Sequence, residues 1–61
     1  MTPYLSKCLL FIRVNLSDKW FEPIDTWPNI KRADYNLNRL VSLGYLEKKL
    51  ENDTFYYFLI A

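Results

Sequence analysis

The chain has 61 residues, with eight Lys or Arg against seven Asp or Glu, no histidine, and a formal charge of +1. That length holds one domain, residues 1–61, and a near-neutral balance lacks the broad basic excess of most nucleic-acid binders. The missing histidine excludes Ser/His/Asp and Cys/His catalysis, the single glycine excludes a glycine-rich phosphate loop, and no histidine with only one cysteine argues against a zinc centre.

The carboxylates scatter over caps, a turn and helix surfaces, so no acid–base pair is expected. The chain therefore reads as a non-enzyme with no metal, cofactor or small-molecule substrate. Its single cysteine, Cys8, suits a reducing cytosol, and no apolar run reaches bilayer length, so a cytoplasmic location without a membrane anchor is expected. An apolar fraction of 51% with 18% aromatic side chains excludes disorder. It is also more apolar surface than one small core hides, which points to a partner or a second copy.

Thr2-Pro3 predicts a helix start, with Thr capping the free amides and Pro at the first helical position. The first helix is expected over Pro3 to Leu16. Leu5, Cys8, Leu9, Ile12 and Leu16 form one stripe, assigned to the core. Leu10, Phe11 and Val14 lie on the far side, to be covered either by the hairpin or by a second copy. Trp20-Phe21 is apolar and suits a short strand or a staple onto the core. Pro23, with Ile24 and Trp27 three apart, predicts a short second helix over Glu22 to Trp27, broken by Pro28-Asn29.

A third helix is expected over Lys31 to Leu43. Ala33, Leu37, Leu40 and Val41 recur at helical spacing, and Gly44 follows where a helix needs a left-handed residue. The opposite face then carries Tyr35, Asn38, Arg39 and Ser42, with Lys31 and Arg32 at its exposed start. Donor-bearing residues of this kind read base edges and phosphates, though a solvated polar face has the same composition. After Gly44 the period switches to two. Leu46, Lys48 and Leu50 alternate with Tyr45, Glu47 and Lys49, and a polar turn at Glu51-Asn52-Asp53 leads into the strand-rich run Thr54 to Ile60. Alternation sends Phe55, Tyr57 and Leu59 one way and Tyr56, Phe58 and Ile60 the other. One set packs on the helices; the other makes an aromatic outer face.

Charge is unevenly placed. Residues 29–50 hold five cations against two carboxylates, residues 1–28 are neutral, and residues 51–61 carry two carboxylates and no cation. The acidic turn argues against a hairpin tip buried in a nucleic-acid groove.

A helix ending L-x-x-L-x-x-x-G-Y-L, then basic residues and a hairpin, resembles the winged helix-turn-helix family over about Phe21 to Ile60. The resemblance implies an α+β, mainly α fold: a three-helix core followed by a two-stranded antiparallel wing. It places Ile24, Trp27, Ile30, Leu37 and Leu40 at buried positions; the short, proline-flanked second helix departs from the pattern. It further implies double-stranded DNA as partner. The third helix would enter the major groove, with Arg32, Tyr35, Asn38 and Arg39 nearest base edges, Ser42 on the same face, and Lys31, Lys48 and Lys49 on phosphates. A lone domain this small has little contact area, so a regulator acting as a dimer is expected, of the kind found in phages and plasmids. The dimer would bury Leu10, Phe11 and Val14, or Tyr56, Phe58 and Ile60. A winged-helix module that binds protein instead of DNA is the alternative, favoured by the acidic tip and the aromatic surplus.

Overall fold

The computed structural model describes residues 1–60. Helix α1 spans Pro3–Asn15, a single 3-10 turn spans Pro23–Thr26, helix α2 spans Ala33–Ser42, and strands β1 (Leu46–Glu51) and β2 (Thr54–Leu59) form an antiparallel hairpin. The fold is α+β.

The three-helix core expected from the sequence is not present among the described residues, where α1 and α2 are the two α-helices. The segment read as a helix over Glu22 to Trp27 is one tight turn. Pro23 starts it, the Glu22 amide donates to Asp25 Oδ2 at 2.9 Å, and Pro28 lacks the amide that would extend it. With three residues per turn instead of 3.6, the buried position shifts. Thr26 is fully buried and donates its hydroxyl to the Pro23 carbonyl at 2.6 Å, while Ile24 and Trp27 are 68% and 70% exposed. The expectation that Ile24 and Trp27 share a buried face is therefore overturned. Ile30 is buried as expected, its amide held by the Thr26 carbonyl at 3.0 Å.

Helix α1 forms as its pattern dictates. Thr2 Oγ1 accepts from the Leu5 amide at 3.1 Å, and Leu5, Cys8, Leu9, Ile12 and Leu16 are all buried. Leu10 and Val14 remain exposed, whereas Phe11 is half-buried against the core. Trp20-Phe21 does supply a strand fragment. Phe21 and Tyr57 exchange amide–carbonyl bonds at 2.9 and 2.8 Å, so Phe21 extends the hairpin by one antiparallel bridge on the free side of β2. Its fully buried ring lies 6.1 Å from that of Tyr57.

Helix α2 ends in a Schellman motif. The Gly44 amide donates to the Val41 carbonyl and the Tyr45 amide to the Leu40 carbonyl, both at 3.0 Å, and Gly44 takes φ +91°. Two carbonyls left over at the helix end are thereby satisfied, and the chain reverses straight into β1. At the hairpin tip Asn52 and Asp53 both take positive φ, which a two-residue turn needs to match strand twist. Register follows: Lys48 lies opposite Tyr57, and Lys49 opposite Tyr56. On the outer sheet face Trp20 stacks 5.2 Å from Phe58, so Tyr56 and Phe58 are half-buried and Ile60 is exposed.

Candidate nucleic-acid interface

Helix α2 starts later than its sequence suggests, at Ala33 instead of Lys31. Arg32 is its N-cap and takes a left-handed backbone, φ +50° and ψ +50°, which is costly for a residue with a Cβ. Two tethers hold the segment before it. The Lys31 amide donates to the Tyr4 hydroxyl of α1 at 2.8 Å, and Asn36 Nδ2 donates to the Lys31 carbonyl at 2.7 Å. Asn36 is buried beside Leu37 and Leu40. Its pattern gives no hint of that, because a polar residue at a core-facing position looks like a break in the stripe.

Tyr35, Asn38, Arg39 and Ser42 are exposed, as the helical face predicts, and so are Lys31 and Arg32. Three of these make one stack. The Arg32 guanidinium carbon lies 4.7 Å and that of Arg39 5.7 Å from the centre of the Tyr35 ring. Spacings of three and four residues place both arginines beside Tyr35 on the helix surface. The ring orders the guanidinium groups through its π-face without taking any of their N–H donors. Among the described residues, no carboxylate pairs with Lys31, Arg32 or Arg39.

The hairpin adds one lysine to this surface and withholds the other. Lys48 Nζ donates to Asn38 Oδ1 at 2.7 Å and lies 4.2 Å above the Phe55 ring. The Tyr57 hydroxyl donates to the same Asn38 oxygen at 3.1 Å. Burial pushes the Tyr57 hydroxyl pKa up, and the Asp34 carboxylate adds to the shift. Lys49 points to the opposite sheet face, 4.4 Å from the Trp20 ring, 5.7 Å from that of Tyr56, and 3.7 Å from Glu51 Oε2. Arg32, Tyr35, Asn38, Arg39 and Lys48 thus form one continuous surface, with Lys31 and Ser42 at its ends, and Lys49 lies elsewhere.

The remaining surface is less polar. Leu50 and Phe55 are exposed near the hairpin tip, on the face that carries Lys48. Leu10, Val14, Ile24 and Trp27 are exposed away from the hairpin. The described residues contain no pocket, no group of side chains suited to hold a metal ion, and no helix long and apolar enough to cross a membrane. No protein-family model matches the chain, and neither curated proteins nor solved structures show significant similarity to it.

Proposed function

We propose that the protein is a small, cytoplasmic winged helix-turn-helix DNA-binding protein, a transcriptional regulator that acts as a dimer, with α2 as its recognition helix. The observation that carries this reading is the Arg32–Tyr35–Arg39 stack: two guanidinium groups ordered on an exposed helix face with no carboxylate to neutralise them. Guanidinium forks suit both phosphate oxygens and the O6/N7 edge of guanine. Lys31 adds a cation at the start of α2, where Asp34 is the one carboxylate of the first turn. Lys48 extends the positive surface onto the wing. Element order supports the winged-helix assignment, with the strand fragment at Phe21 pairing to the hairpin and the 3-10 turn standing where that fold has its second helix.

Few phosphates are neutralised by so few cations. A single copy should bind non-specific duplex with Kd on the order of 10⁻⁴–10⁻⁶ M at physiological salt, with a shallow salt dependence. A duplex titration across ionic strength tests the reading. Loss of binding in the Arg32→Ala/Arg39→Ala double variant supports it. Absence of binding at low salt, or binding unchanged in that variant, overturns it.

One observation favours a second reading, a protein-interaction module. Ile24 and Trp27 project from the 3-10 turn, and a tryptophan 70% exposed is uncommon without a partner. Absence of duplex binding at low salt, together with capture of a protein that the Trp27→Ala variant loses, would favour that module.

A further inference from the structure

Asn38 is the one side chain at which α2 and the wing exchange side-chain hydrogen bonds among the described residues. Its amide orientation is dictated by chemistry. An ammonium only donates, so the oxygen and not the NH2 group must face Lys48. The Tyr57 hydroxyl donates to that same oxygen, so both acceptor positions of Oδ1 are used within the protein. The Nδ2 donors are the only uncommitted group Asn38 has.

An asparagine reads adenine with both ends of its amide, accepting from N6 and donating to N7. A donor alone meets N7 of adenine and of guanine and cannot choose between them. To recruit Oδ1 for adenine, the protein would have to give up one of these two bonds: the charge-assisted bond from Lys48, or that of the Tyr57 hydroxyl, on a residue only 2% exposed. That loss is of the same size as the discrimination such a contact would supply. Arg32 and Arg39 carry no such commitment, because a ring face leaves guanidinium donors free.

We propose that Asn38 is a positioning residue that fixes the wing against α2, and that base preference rests on guanine through Arg39 and Arg32. The proposal depends on α2 being the duplex-binding helix. Asn38 acts by holding Lys48 beside the recognition surface, and Tyr57 acts one step further back.

The test is duplex binding by the full chain against a panel of single base-pair substitutions, with melting temperature recorded for each variant. Asn38→Ala should weaken every duplex by a similar factor, about 3- to 10-fold, the scale of one lost hydrogen bond, and leave base preference unchanged. Tyr57→Phe keeps the ring and cannot touch DNA, yet it should weaken binding with the same uniform pattern. The Asn38→Ala/Tyr57→Phe double variant should be no weaker than Asn38→Ala, because the two act as one unit. Arg39→Ala should relax preference at one G·C pair, and 7-deazaguanine at that position should reproduce the loss. Relaxed preference at an A·T pair in Asn38→Ala, with Tyr57→Phe binding like the unaltered protein, would overturn the proposal and leave α2 as the DNA-binding helix. Failure of the unaltered protein to bind any duplex would instead overturn the reading of α2, and the proposal with it.

Discussion

Lys48 and Lys49 are neighbours in one strand, yet they belong to different surfaces. Lys48 faces α2 and is held by Asn38 over the Phe55 ring; Lys49 faces away, over Trp20 and beside Glu51. The strand pleat separates them, since successive side chains leave opposite faces of a sheet. Charge counted along the chain therefore overstates what one surface can present. Of the five cations between residues 29 and 50, Arg32, Arg39 and Lys48 have contacts that place them on the α2 side, and Lys49 is turned away from it.

The largest expected effect comes from destroying the seam that holds the hairpin down. Phe21 is fully buried and bridged to Tyr57, so Phe21→Ala should cost about 3–5 kcal/mol. For a domain this small that is a large part of the total, and urea denaturation should find the variant largely unfolded. A midpoint close to that of the unaltered protein would mean that the hairpin does not depend on the Phe21 ring, since the variant keeps the backbone bridge.

Gly44 decides which face of β1 turns toward α2. Its φ of +91° is strained for a β-branched residue, although a Cβ there would meet nothing within 4 Å. Gly44→Val should therefore lose about 1–2 kcal/mol through backbone strain alone. Gly44→Asn should lose less, because Asn tolerates positive φ. Equal losses in the two variants, measured by thermal unfolding, would place the cost in packing instead.

The lysine comparison can be made directly. Lys48→Met should lower the slope of log affinity against log salt for duplex DNA by about one unit, the share of one phosphate contact. Lys49→Met should leave that slope alone and cost about 0.5–1 kcal/mol of stability, from its lost place over Trp20. Equal slopes in the two variants would erase the distinction between the faces.

The smallest effect is confined to alkaline solution. The folded pKa of Tyr57 is raised above its ordinary value of 10.0, first by burial and then by Asp34. Protonated Tyr57 is thus favoured by folding, and its contribution is complete below pH 10 and is lost as pH rises through the folded pKa. Stability should decline above about pH 10, where the unfolded chain releases the proton first. Tyr57→Phe should flatten that part of the curve, and denaturation midpoints between pH 8 and 11 measure it.

What the sequence determined by itself is local and periodic. The α1 stripe, the Thr2 cap, the stop at Gly44 and the exposed face of α2 follow from spacing and from residues with special backbone freedom. So does the hairpin tip, narrowed from Glu51 to Asp53 to Asn52-Asp53 because Glu51 pairs with Thr54 at the end of β1. Each depends on neighbours within about one turn or one hairpin, where propensity and period act together. Strand alternation likewise contains the separation of Lys48 from Lys49, although the winged-helix resemblance implied a shared role on phosphates.

The remaining features depend on contacts between distant parts of the chain. Thr26 is buried and Trp27 exposed because a proline-bounded segment tightens to three residues per turn once it packs beside α2. Asn36 is tolerated inside because its amide donates to the Lys31 carbonyl, just before the left-handed Arg32. Asn38 changes from a surface donor into the link between helix and hairpin because folding brings Tyr57, nineteen residues away, to its oxygen. A polar side chain has the same sequence signature whether it meets solvent, a ligand or its own protein. Its role is set by which partner's hydrogen-bonding groups arrive first, and that depends on the packing of distant elements.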